Sequence, residues 1–260
     1  MFSVNFHILR TCNMECLYCF HSNPALAAVR PTGTTLTIDQ MRRGVELLAE
    51  NGCTKLNIAG GEPFLCPKET IAVTSHAKTL GLFTSVITNG LLAEPHYSID
   101  MIGVSIDSFN KNTNSLIGRR EVSIEKLYRL RDNSPSFKIN TVVSKLNYME
   151  NMNRYIEELN PDRWKIFQVL TVEGENDGHN TDITAFEFEE FARLHPRGIP
   201  ENNDVMANSY LILDENMRFL DGVTKKPFTE SILVDESAIK SALGKLDMAS
   251  FLKRQGGFYL

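Results

Sequence analysis

Polar and apolar residues alternate with a period of two over SVNFHILR, Ser3 to Arg10, which predicts a first strand. From Thr37 the period lengthens. Ile38, Met41, Val45 and Leu48 recur at helical spacing, Thr37 and Gln40 form a capping-box pattern, and Gly52 ends the run. KLNIAGG (Lys55 to Gly61) reads as a second strand, and Pro67 to Leu80 as a helix. LFTSVITNG (Leu82 to Gly90) and MIGVSIDS (Met101 to Ser108) read as two more strands. VSIEKLYRLRDN predicts a helix with Ser123 at its N-cap, SFKINTVVSK a strand, YMENMNRYIEELN a helix, and RWKIFQVL (Arg163 to Leu170) a sixth strand. This alternation predicts parallel βαβ units, with functional residues gathered at the carboxyl ends of the strands. The cysteines follow the first strand, Gly-Gly-Glu-Pro follows the second, Asn89-Gly90 ends the third, and Ser105 with Asp107 ends the fourth.

After about residue 170 the rhythm changes. VEGENDGHNTD is a polar loop, ITAFEFEEFARLH a short helix, and SYLILDENMRFLDG a hairpin turning at Asp214-Glu215-Asn216. Two short helical stretches and a basic tail, LKRQGGFYL, follow. The expected architecture is α/β: a barrel-like βα unit over residues 1–170 and a C-terminal α+β extension over 171–260 that closes the substrate site.

Composition changes this picture little. The 260 residues are 42% hydrophobic and 23% charged, with a net charge of -5. That balance argues against direct nucleic-acid binding and against a basic membrane surface, so any anion site must be local. No leader and no apolar run of membrane-spanning length is evident, and the expectation is a cytoplasmic monomer.

The cysteines change it more. Three of the five lie in RTCNMECLYCFHS, at Cys12, Cys16 and Cys19, spaced C-x3-C-x2-C. A closed structural zinc site takes four ligands, and a self-contained four-iron cluster takes four cysteines. Three suit an iron–sulfur cluster with one open iron, and zinc with His21 as fourth ligand remains an alternative. Cys53 reads as a core residue, and Cys66 as core or pocket wall.

C-x3-C-x2-C after a first strand and Gly-Gly-Glu-Pro after a second resemble the radical S-adenosylmethionine (SAM) enzymes. The resemblance implies a partial (β/α)6 barrel and a [4Fe–4S] cluster held by Cys12, Cys16 and Cys19. It implies that the open iron binds SAM and that reduction yields a 5'-deoxyadenosyl radical. It assigns Tyr18, Gly60, Gly61, Glu62, Pro63, Asn89, Ser105 and Arg119 to the cofactor, with Arg119 as a guanidinium fork on its carboxylate. The two glycines are expected to let the backbone approach that ligand.

SVNFHILRTCN, KLNIAGGEPF, DSFN with LIGR, FKIN, NPDRWKIFQVL, VEGEN, SYLILDENMRFL and FLKR further resemble the viperins and viperin-like proteins. Those enzymes dehydrate a ribonucleoside triphosphate, best known with CTP, to a chain-terminating 3'-deoxy-3',4'-didehydro nucleotide. The resemblance implies CTP or UTP, with GTP less favoured, an electron donor, and iron–sulfur assembly machinery as partners. Tyr210 matches a tyrosine proposed to give a hydrogen atom to the product radical, and Lys165 joins it as a catalytic candidate. Departures from vertebrate members include Ala59 in place of Ser, a shorter loop after EGEN, and no N-terminal amphipathic helix or terminal Trp.

The residues test the substrate independently. A triphosphate needs several cations on one side. Asn5 and His7, Lys55 and Asn57, Lys138 and Asn140, and Arg163 and Lys165 each sit two apart on a strand, hence on one face. Inward-pointing lysines are costly without an anion; outward faces remain the alternative, and His7 alone also suits a core. Lys253 and Arg254 in the tail are expected to fold over the phosphates.

Overall fold

A computed structural model describes residues 1–21, 34–207 and 209–255, with side chains as far as residue 252. The candidate side chains of Lys253 and Arg254 therefore lie outside the described residues. The alternating first segment forms β1 (Phe2–Leu9), which buries Phe2, Val4, Phe6 and Ile8 on one face and leaves Asn5 and His7 on the other. Helix α1 (Ile38–Glu50) follows, with Met41, Val45 and Leu48 buried at helical spacing. Its capping box is formed on both sides, since Gln40 N–H donates to the Thr37 hydroxyl at 3.3 Å and Thr37 N–H to Gln40 Oε1 at 2.9 Å.

The same logic repeats through β2 (Cys53–Gly60), α2 (Pro67–Thr79), β3 (Phe83–Thr88), β4 (Met101–Ser105), α3 (Lys111–Ile117), α4 (Ile124–Asp132), β5 (Phe137–Val143), α5 (Asn153–Leu159) and β6 (Arg163–Gln168). Strands β1 to β6 pair in sequence order and all in parallel. Six parallel strands, with a helix in every connection except that from β3 to β4, give the expected partial (β/α)6 arrangement. The core residues Leu56, Ile58, Val86, Ile102, Val104, Ile139, Trp164 and Ile166 are buried in one hydrophobic cluster. Trp164 Nε1–H is satisfied by the Thr141 hydroxyl at 2.9 Å, so the largest buried side chain leaves no orphaned donor.

The chain beyond residue 170 adds to both edges of this sheet. After α6 (Ala185–Leu194), β7 (Ile199–Glu201) pairs in parallel with β6. After α7 (Asn203–Ala207), β8 (Leu211–Leu213) pairs in parallel with β1, then turns through Asp214 to β9 (Arg218–Leu220) and on to β10 (Pro227–Ser231). The expected hairpin is thus present, and its first strand extends the parallel sheet. Helices α8 (Ser237–Lys245) and α9 (Met248–Gln255) end the described chain. The strand patterns run two or three residues long at the carboxyl ends of the third, fourth, fifth and sixth strands. Helix α3, β7, α7 and β10 have no counterpart in the sequence pattern, because three to seven residues offer too few periods to read. Among the described residues, no helix is long and apolar enough to cross a membrane.

Thr37→Ala should lower stability by about 1 kcal/mol through loss of the N-cap acceptor, read from the urea midpoint at unchanged slope. An unchanged midpoint would deny that the box holds the start of α1.

Candidate functional site

The inner faces of the strands meet around a cavity of about 310 Å³. All eight strand residues expected to face a substrate line it: Asn5 and His7 from β1, Lys55 and Asn57 from β2, Lys138 and Asn140 from β5, Arg163 and Lys165 from β6. Parallel pairing sets Asn5 beside Asn57, Lys138 beside Arg163 and Asn140 beside Lys165. Tyr18, Cys19 and Tyr210 line the same space, so the cysteine loop and the C-terminal hairpin both reach it.

The amides are organised. Asn57 Nδ2 donates to Asn5 Oδ1 at 2.8 Å, and the Ser85 hydroxyl donates to Asn57 Oδ1 at 2.7 Å. Asn140 Oδ1 is buried with no hydrogen-bond partner, an acceptor left for something inside the cavity.

Five cationic side chains share the lining, Lys55, Lys138, Arg163, Lys165 and Lys225, and no Asp or Glu does among the described residues. Desolvation in the recess, followed by Lys165, Lys55 and Arg163, holds the Lys138 ammonium well below the ordinary lysine range. Lys225, from the turn between β9 and β10, is lowered to about 8, chiefly by burial. His7 is lowered to about 3 by burial, then by Lys225 and Arg10, so it is a neutral imidazole near neutral pH. Sequence reasoning missed Lys225 because it sits in a turn with positive φ, where no strand period marks a face.

The cysteine loop is clamped on two sides. Gly61 N–H donates to the Leu9 carbonyl at 2.8 Å, and Glu62 N–H to the Thr11 carbonyl at 2.9 Å. A Cβ on Gly61 would collide with the Thr11 carbonyl, and one on Gly60 with that of Leu9. The glycines were expected to make room for a ligand; the room they make is filled by the loop's own backbone. Across the loop, Glu15 N–H donates to the Gly118 carbonyl at 3.1 Å, where φ is +88° and a side chain would strike Glu15.

Charged and amide groups converge behind the sulfurs. Glu62 is fully buried and accepts from Asn89 N–H at 2.7 Å, the Thr88 hydroxyl at 2.7 Å and Phe64 N–H at 3.0 Å. Burial nevertheless raises its carboxyl above the usual range. Pro63 starts the 3-10 turn that follows. Asn89 Nδ2–H approaches Cys12 Sγ at 3.8 Å, and an Arg119 N–H approaches Cys16 Sγ at the same distance. The Arg119 fork is also committed within the protein, to Asp107 at 2.9 Å, to the Tyr18 hydroxyl at 3.1 Å and to the Ser105 carbonyl. Tyr18 donates in turn to Asp107. Ser105 and Arg119 line a separate cavity of about 340 Å³ with Ser108, Phe109 and Asn114.

All three loop cysteines are free thiols, and burial raises Cys12 and pushes Cys16 up to about 12. The Nε2 of His21 is turned to His7 Nδ1. Among the described residues, no three His, Cys, Asp or Glu side chains are grouped to hold a single metal ion. Cys53 is core, as expected, and Cys66 is buried against Pro63 and Thr70.

The VEGEN loop closes the assembly. Asn176 Nδ2 donates to the Tyr18 carbonyl at 2.6 Å and to the Leu170 carbonyl at 2.9 Å, while Glu175 pairs with Arg10 at 3.1 Å. Asn176→Ala should loosen the cysteine loop by about 1.4 kcal/mol, speeding alkylation of Cys16 by about tenfold at unchanged circular dichroism. Unchanged alkylation would show that the loop does not depend on this amide.

The model of the Radical SAM superfamily matches residues 6–159. A protein of Oncorhynchus mykiss named S-adenosylmethionine-dependent nucleotide dehydratase RSAD2 is 35% identical, covering 98% of this chain and 80% of its own length. One of Flammeovirga pacifica, named S-adenosylmethionine-dependent nucleotide dehydratase, is 36% identical over 84% of this chain and 82% of its own. The crystal structure of Streptococcus suis SuiB bound to S-adenosylmethionine superposes with a TM-score of 0.70 at 15% identity, covering 97% of this chain and 67% of that one, a likeness of fold alone.

Proposed function

The chain belongs to the radical SAM superfamily and, within it, to the nucleotide dehydratases, and from that premise we propose that it removes water from the ribose of a nucleoside triphosphate. The observation that carries the substrate is the cavity itself, five cations without a carboxylate in its lining. A triphosphate has about four negative charges, which matches the four cations left once Glu201 is set against Lys165, and its arrival offsets the burial and repulsion that depress Lys138.

The residues present fit the family's cofactors. Cys12, Cys16 and Cys19 are three free thiols on one loop, with Asn89 and Arg119 N–H donors aimed at two of the sulfurs. When bound, a [4Fe–4S] cluster and SAM supply the 5'-deoxyadenosyl radical that removes the hydrogen from ribose C4'. Tyr18, Gly60, Gly61, Glu62, Pro63, Asn89, Ser105 and Arg119 are the proposed cofactor contacts. Glu62 is an acceptor for an ammonium group; its three protein donors hold the carboxylate in place.

Lys55, Lys138, Arg163 and Lys225 hold the phosphates in this reading, and Asn5, Asn57 and Asn140 orient the sugar or base. Lys165 and Tyr210 stand together at the far wall, Lys165 Nζ donating to the Tyr210 oxygen at 3.1 Å. In this reading Lys165 protonates the departing 3'-hydroxyl, and Tyr210 supplies the remaining electron. The product lacks a 3'-hydroxyl, so a polymerase that incorporates it cannot extend the strand, and an antiviral role follows from that chemistry. The resemblance to viperins directs attention first to CTP and UTP. The reaction also needs a one-electron donor.

With reconstituted cluster, SAM and reductant, one of CTP, UTP, GTP and ATP should stimulate deoxyadenosine formation and yield a nucleotide lighter by one water. Stimulation by none of them would overturn the dehydratase reading. The KM for that nucleotide should rise as pH passes about 8, because Lys225 loses its charge there. Lys225→Arg should remove this rise; a wild-type KM flat from pH 7 to pH 9, about two units around a lysine so shifted, would exclude Lys225 as a phosphate contact.

A further inference from the structure

Glu201 is the last residue of β7, set across from Phe167 in the register of β6, and it is 2% exposed. It does not line the cavity, but it touches two residues that do. Its Oε1 accepts from Lys165 Nζ and its Oε2 accepts from the Tyr210 hydroxyl. Lys165 Nζ also donates to the Tyr210 oxygen at 3.1 Å, which closes a ring of three hydrogen bonds. The phenol proton is thereby directed at a carboxylate, and the phenol oxygen already receives an ammonium N–H.

A carboxylate at this place works against anion binding, since it offsets the charge of Lys165 beside a cavity whose lining includes no Asp or Glu among the described residues. A counter-ion for Lys165 needs one carboxylate oxygen, and the second is given to Tyr210. With Lys165 and Glu201 opposite in charge, the ring is neutral, so electron loss from Tyr210 is not opposed by an unpaired cation.

We propose that Glu201 is the proton acceptor that lets Tyr210 give an electron to the substrate radical, a positioning residue that acts through Tyr210 rather than on the nucleotide. The proposal rests on the dehydratase reading above. Phenols release an electron far more readily when the proton leaves with it, and the Tyr210–Glu201 hydrogen bond is a path that requires no movement. After H4' has gone and the C3'–O bond breaks with its electron pair on oxygen, the sugar lacks one electron and the hydroxide one proton. Tyr210 supplies the electron and passes its proton to Glu201 Oε2. Lys165 supplies a proton to the hydroxide, giving water, and takes back the proton held by Glu201 once the carboxyl group turns, which restores the carboxylate. Tyr210 is left as a neutral phenoxyl radical. A one-electron reductant, a flavin or iron–sulfur protein, restores it together with a proton from solvent.

Glu201→Gln keeps the size of the side chain but cannot accept the proton. In the reconstituted full chain, deoxyadenosine and dehydrated nucleotide are measured from the same reaction across nucleotide concentrations. Dehydrated nucleotide per deoxyadenosine should fall about a hundredfold, within the range of a positioned acid–base group, and KM should not rise. Tyr210→Phe should uncouple the two products in the same way, and the double variant should be no worse than Tyr210→Phe. A second readout is independent of turnover: flash oxidation by a photosensitised ruthenium complex, followed by electron paramagnetic resonance. The tyrosyl signal present in wild type and missing in Tyr210→Phe should be missing in Glu201→Gln. The proposal is overturned if Glu201→Gln keeps the two products coupled, if both fall together with a raised KM, or if the Tyr210 signal persists. Wild type that makes no dehydrated nucleotide overturns the dehydratase reading instead, and the flash experiment still decides whether Glu201 takes the proton from Tyr210.

Discussion

Four lysines and an arginine share one small cavity, where burial works against the charge of Lys138 and Lys225. Desolvation drives ammonium groups toward neutrality, and each neighbour pushes the others further, as at Lys138. This constraint orders much of the rest. The strands that carry the cations bury apolar side chains on their opposite faces, so the helices cover the outside and the inside stays open to a ligand. The amide row through Asn5, Asn57 and Ser85 satisfies polar groups within the wall, while Asn140 keeps an unpaired acceptor toward the cavity. In the proposed function, a triphosphate is the anion that would offset this repulsion.

The cofactor half is organised by close backbone contact. The loop that carries Cys12, Cys16 and Cys19 runs between Gly61 and Gly118, at positions that no side chain could share. Arg119 follows Gly118 directly, and its salt bridge to Asp107 ties the loop to the end of β4 and, through Val142 N–H at 2.7 Å, to β5. Tyr18 and Cys19 face the cation-lined cavity from this clamped loop. The VEGEN loop, through Asn176 on the Tyr18 carbonyl and Glu175 on Arg10, holds the same loop from the other side.

Much of this was legible in the residues. A period of two is a strong constraint: once the strands are parallel, Lys138 with Asn140 and Arg163 with Lys165 must share a face, and burial of Trp164 and Ile166 decides which. The strand-end positions of the cysteines and Gly-Gly-Glu-Pro followed from βα alternation. What escaped has a common cause. Glu201 lies on a strand of three residues and Lys225 in a turn, where no period exists, and both reach the site only through sheet pairing and turn geometry. At Gly60 and Gly61 a side chain would also strike the backbone of Leu9 and Thr11, a contact that a pair of glycines in the sequence does not specify.

The most direct test of a cavity built for a triphosphate is calorimetric titration at pH 8 of the cluster-loaded protein with the preferred nucleotide and its nucleoside, in two buffers of different ionisation heat. The triphosphate should bind about a hundredfold more tightly than the nucleoside, or about 2.7 kcal/mol, and should take up protons as lysines such as Lys138 and Lys225 regain their charge. Equal affinities, or triphosphate binding without proton uptake, would contradict the account.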